Sequence, residues 1–152
     1  MKNYQVNQVI LVDDDPDYIY LVEEALKDCT PACTLIVIHS GSDLLEWLET
    51  NSVRPNLILL DINMPGSNGF DVLKVLRSTH RYKMIPVVML TVSERREDIG
   101  QAYDGGANAY LVKPSGFKEL KRRLDFFNHY WFDISQTPGP NWGAINWYNE
   151  LN

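Results

Sequence analysis

Basic residues are in short supply: 14 Lys and Arg stand against 20 Asp and Glu in 152 residues, a net charge of −6. Such a balance gives no electrostatic footprint for a nucleic-acid backbone or an anionic membrane surface, so direct DNA binding is not expected. Long apolar runs are missing as well. The first ends at Val12 and is too short for a signal peptide core or a membrane span, so a cytoplasmic protein without membrane association is expected. Cysteine is limited to Cys29 and Cys33, four apart around a Pro-Ala turn with no histidine nearby to complete a metal site. They read as reduced, structural thiols. His39, His80 and His129 show neither metal-ligand spacing nor a triad pattern, and no repeat or low-complexity block is visible. What remains is 45% hydrophobic and 22% charged, enough core for one globular domain of ordinary size.

Short runs rich in Val, Ile and Leu alternate five times with segments of helical period. The runs are Val9-Ile10-Leu11-Val12, Thr34-Leu35-Ile36-Val37-Ile38, Leu57-Ile58-Leu59-Leu60, Val87-Val88-Met89-Leu90 and Ala109-Tyr110-Leu111-Val112. They are continuous rather than alternating, the pattern of strands covered on both faces, and predict a parallel α/β sheet. Helices are predicted near 16–29, 41–51, 69–80, 94–104 and 116–131, the last with Phe117, Leu120, Leu124 and Phe127 on one face. Right-handed crossovers place such helices on both sides of the sheet. Asp15 before Pro16 is an N-cap signature, with Asp17 favoured by the helix dipole, and Ser40, Ser93 and Ser115 are cap candidates for the second, fourth and fifth helices. After residue 131 the pattern gives way to a turn-forming stretch and an aromatic tail, so we divide the chain into a domain over 1–131 and an extension over 132–152, with no separate output domain.

Open α/β sheets bind ligands beyond the carboxyl ends of their strands. There the first run ends in Asp13-Asp14, the third in Asp61, the fourth in Thr91 and the fifth in Lys113, whereas the second ends in His39-Ser40. In a flavodoxin-like strand order, 2-1-3-4-5, the four equipped strands are neighbours and the second is an edge. Three carboxylates, a hydroxyl and an ammonium then converge. Clustered carboxylates raise one another's pKa unless a cation intervenes, and hard oxygen donors in small number suit Mg²⁺, which keeps waters and takes phosphate oxygens. Lys113 and Thr91 suit the oxygens of a phosphoryl group, and Asp61, alone at its strand end, is the candidate nucleophile for an acyl phosphate.

These residues resemble the response-regulator receiver domains of two-component signalling. The carrying motifs are Ile10-Leu11-Val12-Asp13-Asp14-Asp15-Pro16, Leu60-Asp61-Ile62-Asn63-Met64-Pro65-Gly66 with Gly69, Met89-Leu90-Thr91, Gly106-Ala107 and Tyr110-Leu111-Val112-Lys113-Pro114, spanning residues 8 to about 130. The resemblance implies that Asp61 accepts a phosphoryl group from a histidine kinase or a histidine phosphotransfer protein. It implies that Asp14 and Asp61 ligate Mg²⁺ directly, Asp13 largely through water, and Asn63 through its backbone carbonyl. It implies that Lys113 pairs with the phosphate, that Thr91 hydrogen-bonds it, and that Tyr110 follows the movement of Thr91 as a two-state switch. By the same analogy the Lys113-Pro114 bond is expected to be cis. Val92, where a smaller residue is usual, is a departure whose bulk narrows access to Asp61. Asn63 and Ser93 stand where the family tunes access of water to the acyl phosphate. The protein is similar to stand-alone receivers paired with phytochrome-like or hybrid sensor kinases, a signalling protein rather than an enzyme.

Two other readings remain open. A haloacid-dehalogenase-type phosphatase needs a second acid where Asn63 stands, and a phosphorylation-independent scaffold would not need the full acidic, Thr and Lys set. Arg95-Arg96 and Lys121-Arg122-Arg123 read as solvated helix faces, although the fourth and fifth helices form the family's usual output face, and Trp47 reads as packing among Leu44, Leu45 and Leu48. The concentration of Tyr130, Trp131, Phe132, Trp142, Trp147 and Tyr148 near the carboxyl end is too aromatic for disorder. It either folds back on the domain or forms an interface, including one between two copies of the chain.

Overall fold

Residues 6–138 are described by a computed structural model. The strands β1 (Asn7–Val12), β2 (Cys33–Ile38), β3 (Leu57–Leu60), β6 (Val87–Thr91) and β7 (Ala109–Val112) form one parallel sheet in the order β2-β1-β3-β6-β7. This is the flavodoxin-like order expected, with β2 at one edge. Between β3 and β6 lies an antiparallel pair of two-residue strands, β4 (Asn63–Met64) and β5 (Ser67–Asn68), turned by Gly66 at φ 67°. Helices α1 (Pro16–Leu26), α2 (Gly41–Thr50), α3 (Gly69–Ser78), α4 (Arg96–Asp104) and α5 (Phe117–His129) cover the sheet.

Successive side chains of a strand point to opposite faces, and the central strands obey this literally. Ile10, Val12, Ile58, Leu60, Val87 and Met89 pack towards α2, α3 and α4, meeting Leu44, Leu48, Leu73 and Leu76. Val9, Leu11, Leu57, Leu59, Val88 and Leu90 pack towards α1 and α5, meeting Ile19, Val22, Leu120 and Leu124. Each fully buried aliphatic side chain contributes roughly 1.5–3 kcal/mol of transfer free energy, and two such layers hold the central strand ends in fixed register. Trp47 packs against the first layer, and Trp131 and Phe132 against the second. Trp142, Trp147 and Tyr148 lie outside the described residues.

The helix starts divide. Asp15 caps α1, accepting from Asp17 N at 3.0 Å, and Ser40 caps α2, accepting from Asp43 N at 3.2 Å. Neither Ser93 nor Ser115 caps its helix: α4 begins after Arg95 and α5 after Gly116, both without a side-chain cap. Ser93 falls two residues too early and instead accepts from Arg95 N in the preceding turn. Phe117, at the first position of α5, is exposed rather than on the packed face. Helix α1 stops at Leu26, short of the expected residue 29, and a turn containing a cis Thr30–Pro31 bond follows. In that turn the free thiols of Cys29 and Cys33 lie 3.3 Å apart, and burial pushes Cys33 up to about 12. Helix α5 runs on through a π-helical turn, Tyr130–Ile134.

At the amino-terminal end of β6 and β7, Arg77 from α3 donates to the carbonyl oxygens of Gly106, Lys83 and Ile85 at 2.8, 3.1 and 2.9 Å and to Asn108 Oδ1 at 2.9 Å. Asn108 Oδ1 also accepts from Val87 N at 2.8 Å. Gly106 turns there at φ 96°, and a Cβ on it would press on the Arg77 stem at 3.0 Å.

Candidate functional site

The carboxyl ends of β1, β3, β6 and β7 meet at one rim of the sheet. Asp13 N donates to Ile38 O and Asp61 N to Val12 O, at 3.0 and 3.1 Å, so both aspartates leave their strands still tied to the sheet ladder. Asp13 is fully buried and Asp61 is 6% exposed. Lys113 Nζ joins them, donating to Asp13 Oδ2 at 2.6 Å and Asp61 Oδ2 at 3.2 Å. Asp14 is exposed, and the three carboxylates each bring an oxygen within 4.8 Å of the others. The other oxygens are partly engaged: Asp13 Oδ1 accepts from Asp15 N at 2.9 Å and Asp61 Oδ1 from Ile62 N at 2.8 Å.

The charge count is three carboxylates to one ammonium. Burial pushes the Asp61 carboxyl above its ordinary value, Lys113 opposes the rise, and Asp13 adds to it. Thr91 Oγ1 is fully buried and makes no hydrogen bond of acceptable geometry, although it sits near enough to Asp61 to oppose the rise slightly. Apart from that approach to Asp61, the hydroxyl has no fixed partner and is available to an oxyanion at the rim. Surplus negative charge, hard oxygen donors, one solvent-facing carboxylate and an idle hydroxyl fit a divalent cation with an oxyanion beside it.

The loop after Asp61 is shaped by close backbone approach. Gly69 N donates to Ile62 O at 2.8 Å, and a Cβ on Gly69 would lie 2.2 Å from the carbonyl oxygen of Asp61. Only glycine fits there. Asn63 is exposed at the start of the hairpin, beside a recess of about 570 Å³ lined by residues 62–68 and Asp71. The recess adjoins the acidic group without containing it.

Tyr110 is half-buried, its ring against the α2–α3–α4 layer and its hydroxyl donating to Ser93 O at 2.9 Å. Ser93 Oγ in turn donates to Asp98 in α4. The β6–α4 loop is thus tied to both β7 and α4. Val92, beside Thr91, is 70% exposed. The Lys113–Pro114 bond is trans, against the cis form expected: the only cis bond among the described residues is Thr30–Pro31. The favoured trans amide suffices because Lys113 N donates to Thr91 O at 2.7 Å and the side chain still reaches both aspartates.

Nothing in the sequence pattern singles out Tyr18. From the first turns of α1 it lays its ring 4.4 Å from Lys113 Nζ, and its hydroxyl is buried without a partner. Its place five residues beyond Asp13, on the inward face of α1, reads from sequence as ordinary core. The basic run of α5 is largely paired, Arg122 and Arg123 with Glu119 and Lys121 with Asp125.

A doubly wound sheet with acids, hydroxyl and lysine at its carboxyl rim is the arrangement of a receiver domain. The chain belongs to the response regulator receiver domain family, which it matches over residues 9–125. It is 34% identical over 135 residues to the response regulator Rcp1 of Synechocystis, covering 86% of this chain and 92% of that protein. It is 30% identical over 136 residues to the probable methanogenesis regulatory protein FilR2 of Methanothrix harundinacea, covering 87% and 88%. Among solved structures it is similar to the phosphorylated cyanobacterial phytochrome response regulator RcpA, with TM-score 0.83 and 30% identity over 89% of this chain and all of that one. The Mn²⁺-bound form of Rcp1 follows at TM-score 0.80 and 33% identity over 88% and 99%. No helix among the described residues is long and apolar enough to cross a membrane.

Proposed function

We propose that the protein is a single-domain response regulator that accepts a phosphoryl group on Asp61 from a histidine kinase or histidine phosphotransfer protein in the cytoplasm and signals by phosphorylation-dependent binding of a protein partner. The observation that carries this reading is Lys113 Nζ shared between the buried Asp13 and Asp61 beside the idle hydroxyl of Thr91. Asp13, Asp14 and Asp61, with the Asn63 backbone carbonyl, are the residues that would hold Mg²⁺. When bound, the ion supplies positive charge to the phosphoryl oxygens and draws the carboxylates into their ionised form.

The chain's own residues do the rest. A carboxylate oxygen of Asp61 attacks phosphorus in line with the donor nitrogen; the O–P bond forms as the P–N bond breaks, and the electron pair returns to the imidazole. Lys113 neutralises a phosphoryl oxygen, and Thr91 donates its unengaged O–H to another. Movement of Thr91 draws on the loop through Ser93, and Tyr110, bonded to the Ser93 carbonyl, transmits the change to the α4, β7 and α5 face. Residues 1–131 constitute the receiver and 132–152 an extension of it. The test is incubation with Mg²⁺ and acetyl phosphate followed by intact mass. The native chain gains one phosphoryl group and Asp61→Asn gains none while keeping its circular dichroism spectrum; stoichiometric labelling of the Asn variant would overturn the assignment.

A further inference from the structure

Lys113 faces an unusual problem. An ammonium on a flexible four-carbon stem is strongly hydrated and readily relaxes outward, yet here its side chain is 7% exposed. It has three N–H donors. Asp13 Oδ2 and Asp61 Oδ2 engage two of them. The face of the Tyr18 ring lies 4.4 Å from the same nitrogen, well inside the distance at which a ring quadrupole attracts a cation. Tyr18 itself is 8% exposed and packed among residues of α1, α5 and the sheet. Its hydroxyl forms no hydrogen bond, which leaves the ring face as its polar contribution to the site.

We infer that Tyr18 is a positioning residue: its ring holds the Lys113 ammonium in the acidic rim so that the charge is in place when a phosphoryl group arrives at Asp61. The inference rests on the acceptor reading above. Preorganised charge accelerates transfer because no reorientation is needed at the moment of reaction, and a lysine free to leave the rim has that reorientation to make. The ring, not the hydroxyl, is the active part. Tyr18→Phe therefore keeps labelling near the native rate, and Tyr18→Leu, which fills much of the space without a π face, slows it.

The test has two arms on the full chain. In the first, the Lys113 ε-methylene proton shifts are read by NMR without any phosphoryl donor; the ring moves them upfield in the native protein and in Tyr18→Phe, and the displacement vanishes in Tyr18→Leu. In the second, the rate of labelling by acetyl phosphate with Mg²⁺ is followed by mass; Phe stays within about twofold of native and Leu falls about tenfold, the scale of one desolvated cation–π contact. Tyr18→Met, flexible enough to repack the same volume, guards against a misfolded Leu variant and is expected to be slow as well. No ring shift in the native protein, a Leu or Met variant as fast as native, or a Phe variant as slow as Leu would each overturn the inference. Failure of the native chain to take up label strikes the acceptor reading instead, since the proton shifts are read without phosphoryl chemistry.

Discussion

At the scale of single residues the site runs on a conflict between burial and charge. Asp61 lies at 6% exposure with its carboxyl raised by desolvation first and by Asp13 after it, against the opposing pull of Lys113. A carboxyl raised in the folded state leaves the unfolded chain to ionise first as pH climbs, so wild-type stability falls from near the ordinary aspartate value upward through the raised one. The penalty is absent in acid and grows as pH climbs past the ordinary aspartate value. Removing the charge leaves Lys113 still paired to Asp13 at 2.6 Å. In metal-free buffer, Asp61→Asn is therefore expected to melt a few degrees above wild type at pH 7, about 1 kcal/mol being worth roughly 2–4 °C at this size, and the gap should close towards pH 4. Thermal melts across that range check it; a constant gap would assign the effect to packing. Asp13, Asp14, Asp61, Thr91 and Lys113 were all legible in the sequence because each directly follows or ends an unmistakable apolar run. Tyr18 was not, since nothing in a one-dimensional pattern says which core aromatic lies beneath a lysine 95 positions further along.

Among elements, the hairpin of β4 and β5 is the piece that sequence periodicity missed. Two-residue strands are too short to show alternation, and the Asn63–Gly69 segment reads simply as a polar loop. Its position depends on Gly69, where a Cβ would collide with the backbone oxygen of Asp61 itself. Gly69→Ala must push the acceptor's backbone or the start of α3, so we expect a loss of about 1–3 kcal/mol, read from the urea midpoint, together with slower labelling of Asp61. Unchanged labelling beside the lost stability would show that the strain is relieved through α3 alone. The five long strands and five helices were legible because their apolar runs are continuous and their helical faces amphipathic. The ends of α1, α4 and α5 were not, because the serine caps expected for α4 and α5 lie outside the observed boundaries and α1 stops at Leu26, short of the expected residue 29.

For the whole molecule, three carboxylates against one ammonium make the native fold a better binder of a divalent ion than the unfolded chain, where Asp61 lies far along the chain from the adjacent Asp13 and Asp14. Binding to the native state alone stabilises by mass action, so Mg²⁺ at about a hundred times its dissociation constant is expected to add about 2.7 kcal/mol, seen as a rise in the melting temperature. Asp14→Asn should abolish most of that rise; a rise of the same size in that variant would place the ion elsewhere. The reactive rim is therefore also the part of the fold whose energy depends on solution conditions. At the far end of the same strands, Arg77 binds four oxygens drawn from α3's neighbours, the chain entering β6 and the turn before β7. This gives the protein something like a keel: ballast that no ion, proton or phosphoryl group at the opposite rim can reach directly. Substitution of the exposed Asn63 or Val92 at that opposite rim is therefore expected to leave this anchorage, and the stability it confers, untouched.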